Sequence, residues 1–155
     1  MSNSARKIWH LSAADKWLHC LALLSLTGAS LALLVLPAHS LTSSDLKPHG
    51  QVEHSSRAVL DQSVHIGQAV ERIARRCFWK PVCLPQAIAT AWLLKRQGIS
   101  FEVLLGVKGA VPTLEAHAWV EVGNTIIVGG DKRHEYKLIG PLSQEGSIAN
   151  TGRQS

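Results

Sequence analysis

The chain has 155 residues, with 16 Lys and Arg against 11 Asp and Glu and only 17% charged residues, a size at which a single domain buries a real core without metal or disulfide staples. The formal charge of +5 is scattered and not gathered into a basic stripe with interleaved aromatics, which argues against a nucleic-acid partner. The cysteines, Cys20, Cys77 and Cys83, are odd in number, which argues against a disulfide framework and for a reducing compartment.

From Trp17 to Ser44 there is no Lys, Arg, Asp or Glu, and Cys20 to Leu36 is almost wholly apolar, close to the ~20 residues that cross a bilayer. Arg6, Lys7 and Lys16 precede it, so a signal peptide or a single anchor stands as one reading. Ser25, Thr27, Gly28 and Ser30 temper the middle, and Pro37-Ala38-His39 lacks a clean small-x-small cleavage site. That favours a helix packed on the core or leaning on a membrane. Pro37 to Ser56, rich in Ser, His, Pro and Gly, reads as a linker. Residues 1–56 are thus expected to form an apolar helical arm with its linker.

In the next segment Val59, Leu60, Val64, Gly67, Val70, Ile73 and Ala74 recur at helical spacing, while Arg57, Asp61, Gln68, Glu71, Arg72 and Arg75 take the other faces, which predicts an amphipathic helix. Phe78-Trp79-Lys80-Pro81-Val82 breaks it. A second helix should start at or just before Cys83: Pro85 suits a first turn, Lys95 and Arg96 a last one, and Gly98 a stop. From Ile99 to Val107 apolar residues alternate as in a half-buried strand, and Lys108 to Thr113 reads as a loop. In the next strand Ala116, Ala118, Val120 and Val122 point one way, so His117, Trp119 and Glu121 share the opposite face. Gly123-Asn124 is the expected hairpin turn into Thr125-Ile126-Ile127-Val128, and Tyr136, Leu138 and Ile139 can add a last short strand. Core residues 57–142 are followed by a polar tail, 143–155, expected to be disordered. Helices followed by an antiparallel sheet make an α+β domain.

A thiol at a helix start feels the positive end of the helix dipole, which favours the nucleophilic thiolate. A lone cysteine in an apolar context is usually core, and a lone strand histidine usually a satisfied polar group. It is the joint placement of Cys83 and His117 that suggests a nucleophile with its base, the arrangement used by papain-like and transglutaminase-like enzymes. Spacing nominates Asp131 as the group that orients the imidazole. With a two-residue turn, however, His117 faces Gly130 and Asp131 points the other way, unless Gly129-Gly130 holds a bulge that turns it back. Glu121 is the fallback. Cys77 and Cys83 are too far apart for the usual zinc pair and no second histidine follows closely, so no metal or other cofactor is expected. Cys20 and Cys77 are expected to be small buried apolar residues.

The stretch Arg75-Arg76-Cys77-Phe78-Trp79-Lys80-Pro81-Val82-Cys83-Leu84, the helix end Leu93-Leu94-Lys95-Arg96-Gln97-Gly98-Ile99, the strand end Leu105-Gly106-Val107 and the run Ala116-His117-Ala118-Trp119-Val120-Glu121-Val122 together resemble the transglutaminase-like cysteine proteases of lasso peptide biosynthesis, over roughly residues 57 to 140. The resemblance implies a leader peptidase that cuts a lasso precursor peptide so that a macrolactam cyclase can close the ring on the freed amine. It also implies that Cys83 is the nucleophile, His117 the base and then the acid, and Asp131 the orienting group. The first 56 residues show no strand alternation, so the leader-recognition domain of fused members looks absent. The chain therefore resembles the discrete B2 protein, which works with a separate B1 recognition protein. This implies a cytoplasmic location, with membrane association through the N-terminal apolar segment still open. Acyl transfer to an amine, and a non-catalytic hold on the precursor for the cyclase, are the alternatives.

Overall fold

The computed structural model of the chain describes residues 13–35 and 56–141; the linker expected from Pro37 to Ser56, save Ser56 itself, and the tail expected over 143–155 lie outside the described residues. Three helices come first: α1 (Ala13–Val35), α2 (Arg57–Ala74) and α3 (Cys83–Arg96). The strands β1 (Glu102–Lys108), β2 (Glu115–Val122) and β3 (Thr125–Val128) follow, then a 3-10 helix (Gly130–Glu135) and β4 (Lys137–Pro141). The domain is α+β, as the order of periodicities implies.

Helix α2 starts where Ser56 caps it, the hydroxyl accepting from the Val59 amide, so an orphan donor of the first turn is satisfied. Its buried face is Ser63, Ile66, Gly67, Ala69, Val70 and Ala74. The buried Ser63 hydroxyl donates to the Val59 carbonyl at 2.7 Å, and buried Thr90 in α3 donates to Gln86 O at 2.9 Å. Returning a hydroxyl to the preceding turn lets both sit in an apolar core. Helix α3 buries eight of its 14 residues and ends at Gly98, whose φ of 68° favours glycine.

Helix α1 packs on α2 and α3, with Ala22, Leu26 and Ala29 fully buried. That stripe is narrow, and Trp17, Leu24, Leu31, Leu34 and Val35 are exposed. By length and composition α1 is able to cross a membrane, and only 17% of its most apolar stretch is buried inside the molecule. Cys20, expected inside, lies exposed on this helix, while Cys77 is buried as expected.

The sheet is antiparallel, in the order β3-β2-β1-β4. Helix α2 packs on β3, and α3 on β2 and β1, so Ala118, Val120 and Val122 join the helical core. Two features depart from the sequence reading. First, β1 begins at Glu102, because Ile99 and Phe101 bury their side chains without joining the ladder, and it runs through Lys108, which the sequence reading gave to a loop. Second, the bulge expected at Gly129-Gly130 lies earlier: Glu121 pairs with Ile126 and Val120 with Val128, which leaves Ile127 as the extra residue. After β3 the chain must reach β4 on the far edge of the sheet, and the 3-10 helix makes that crossing. It carries Gly130–Glu135 past β2, on which His117 stands.

Candidate active site

Cys83 is the first residue of α3, and its N-cap residue, Val82, has no side chain able to cap the helix. Replacing a good cap with an apolar residue costs about 1 kcal/mol of helix stability, and the first-turn amides are left without a side-chain acceptor. The turn itself is held from below: Gln86 Nε2 donates to the Pro81 carbonyl at 2.7 Å. Val82, Cys83 and Gln86 form one wall of a cleft of about 530 Å³.

The facing wall comes from the sheet: Ala116, His117, Val128, Gly129 and Asp131, with Tyr136 at the side. Glu71 and Arg75 of α2 and Lys132 of the 3-10 helix complete the rim, the first two joined across one helical turn at 3.7 Å. Cys83 and His117 therefore share one cleft, although no hydrogen bond joins them among the described residues. Cys77, in contrast, is buried, and burial pushes its thiol up, toward the unreactive protonated form.

His117 Nε2 lies 2.8 Å from the carbonyl oxygen of Gly129. A carbonyl only accepts, so Nε2 carries the hydrogen and Nδ1 is left with the lone pair. Gly129 reaches this position with φ of 80°, and a Cβ there would meet Ala118 O at 2.8 Å, so both the backbone conformation and the space call for glycine. The imidazole is flanked by two rings, Tyr136 at 5.0 Å between centroids and Trp119 at 6.2 Å.

Asp131, the sequence candidate for orienting His117, stands on the first turn of the 3-10 helix and lines the same cleft, exposed. The place that its carboxylate was expected to occupy at the imidazole is held by the Gly129 carbonyl. Glu121, the fallback, accepts from Trp119 Nε1 at 2.9 Å instead. Sequence reasoning missed Gly129, since a main-chain acceptor has no side-chain signature. It also placed Tyr136 only in a strand. Behind the site, Tyr136 is buried, and its hydroxyl donates to Glu115 Oε2 at 3.2 Å. Burial and then this hydrogen bond push the Tyr136 hydroxyl up, so it remains a donor. Lys108 Nζ binds Glu135 at 2.8 Å and Glu115 at 3.3 Å. Among the described residues, no three or more of His, Cys, Asp and Glu converge in a way that could hold a metal ion.

Comparison with curated proteins and with solved structures gives no significant match. A family model described as the transglutaminase-like superfamily matches residues 23–140, from within α1 to β4. A thiol on a helix start and a strand histidine that line one cleft accord with that match, and the chain belongs to the transglutaminase-like superfamily.

Proposed function

We propose that the protein is a cysteine endopeptidase that removes the leader from a lasso precursor peptide, with Cys83 as nucleophile and His117 as base. The observation that carries this reading is the pinned imidazole: Nε2–H on the Gly129 carbonyl leaves Nδ1 as the free base in the cleft that Cys83 lines. The thiol proton passes to Nδ1 and the thiolate adds to the scissile carbonyl. The oxyanion develops beside the helix start, where the Cys83 amide has no helical acceptor. The imidazolium then gives its proton to the leaving amine, and the C–N bond breaks to leave a thioester and the freed core peptide. Water, deprotonated by Nδ1, releases the leader acid and restores the thiol. Asp131 is an exposed carboxylate of the same cleft and balances the imidazolium charge through space.

The partners of this reaction are the precursor, a separate leader-recognition protein and the cyclase, which places the protein in the cytoplasm with α1 available to a membrane surface. The test is incubation with precursor and recognition protein, followed by mass spectrometry of both fragments. Free leader acid and free core amine support the peptidase. Incorporation of an added amine into the leader acid identifies acyl transfer instead. Cys83→Ala is expected to lower turnover by about 10⁴ or more, since a nucleophile has no substitute; full cyclisation support by that variant identifies a binding role without catalysis.

A further inference from the structure

We infer that Tyr136 is a positioning residue for the His117 base, its ring stabilising the imidazolium and its hydroxyl tethered by the Glu115–Lys108 pair; this rests on the Cys83–His117 reading above. Three observations converge on it. The Tyr136 ring lies 5.0 Å from the imidazole, tilted by 32°, within the range where an aromatic face attracts a cation. The sheet makes room for it: Gly106 pairs with His117, and a Cβ at Gly106 would come 3.0 Å from both Tyr136 Cβ and Trp119 Cζ3. Finally, the ring is tethered at its far end, since its hydroxyl donates to Glu115, itself held by Lys108. The Lys108 charge, 5.0 Å from the Tyr136 ring, is balanced by Glu115 and Glu135.

The chemical consequence concerns the thiolate–imidazolium pair. Transfer of the Cys83 proton to Nδ1 creates a cation beside the ring, and a π face favours that charged form over neutral imidazole. Removing the ring therefore disfavours the pair and requires a higher pH to generate thiolate. The other ionisable groups around the cleft are Glu71 and Arg75 from α2 and Asp131 and Lys132 from the 3-10 helix, with Arg133 over the Trp119 ring at 5.5 Å and Glu121 on Trp119 Nε1.

The experiment follows iodoacetamide labelling of Cys83 against pH by peptide mass spectrometry. It uses the full chain carrying Cys20→Ser, because Cys20 is exposed and would otherwise compete for reagent. Tyr136→Leu is expected to move the half-plateau of labelling up by about one pH unit. Tyr136→Phe, which keeps the ring, and Glu115→Gln, which loosens the tether, should move it by much less, in the same direction. Tyr136→Met, which fills the space without a ring, takes the place of the Leu variant if that fails to fold. With a cleavable precursor, the ringless variant should lower kcat with KM nearly unchanged. A ringless variant whose profile overlays that of the parent overturns the inference, as does a Phe variant shifted as far as Leu. If instead His117→Ala leaves the labelling profile unchanged, the Cys83–His117 pairing itself is wrong and this inference falls with it.

Discussion

The two walls of the cleft are built on different principles. The Cys83 wall is local: one helix start, a Pro-containing loop before it and a side chain, Gln86, that ties the loop to the first turn. The His117 wall is assembled from distant parts: a strand, a bulge at Ile127, a left-handed glycine and a tyrosine delivered by a crossing segment. A nucleophile needs only an exposed thiol in a favourable field. A base must also have its tautomer and ring plane set, which takes neighbours on several sides. The wall with more parts should be the more easily disturbed from a distance.

The largest such effect is expected at Gly67 on α2, which touches neither catalytic residue. A Cβ there would stand 2.3 Å from the Ile127 carbonyl oxygen and 2.7 Å from its Cγ2. Alanine gains about 1 kcal/mol of helix propensity over glycine, but backbone on both sides of this contact prevents relief. Gly67→Ala is therefore expected to lower stability by about 2 kcal/mol net. It should also displace the bulge that sets the Gly129 carbonyl, so turnover should fall in the fraction that remains folded. Denaturant unfolding and specific activity together check this. Unchanged stability would show that α2 and β3 slide freely, and the contrast between the two walls would fail.

A smaller effect separates the carboxylates. Because the Gly129 carbonyl already orients the imidazole, Asp131→Asn should lower kcat by about tenfold or less, well short of the ~10⁴ expected when an orienting carboxylate is lost. Glu121→Gln should be smaller still, its partner being Trp119 Nε1. A loss of several orders of magnitude in Asp131→Asn would mean that the aspartate takes over the imidazole when substrate binds.

The smallest effect tests the exposed support behind Tyr136. The hydrogen bond from Lys108 holds Glu135 below the usual carboxylate range, while Glu135 holds the Lys108 ammonium above its ordinary value. For the depressed carboxylate, the stabilisation is full above the ordinary glutamate value of about 4.3 and is lost as pH falls through the folded value. For the raised lysine, it is full below about 10.4 and is lost as pH rises through the folded value. Glu135→Gln should thus lower Tm slightly at pH 7 and less so at high salt, and the difference should shrink as pH falls through the folded value of Glu135, where the parent side chain becomes neutral as well. A Tm difference that persists undiminished in acid would place the cause in packing.

Much of this molecule was legible in one dimension because its signals are local. The spacing of apolar residues in α2, the Pro85 and Gly98 ends of α3, the Gly123-Asn124 turn and the placement of Cys83 each depend on neighbours a few positions away. Tertiary structure decided the rest. Whether α1 buries a stripe or a whole face was undetermined, because its composition is apolar all round; only packing against α2 and α3 selected Ala22, Leu26 and Ala29 and left Leu24 and Leu31 outside. Asp131 was nominated to serve His117 with Glu121 as the fallback, and neither holds the imidazole, because alternation along a strand names a face and not a partner. A bulge of one residue at Ile127 and the left-handed turn at Gly129 put a main-chain oxygen where a side chain was expected. A carbonyl common to every residue leaves no mark in the alphabet, so its role exists only once the strands are paired.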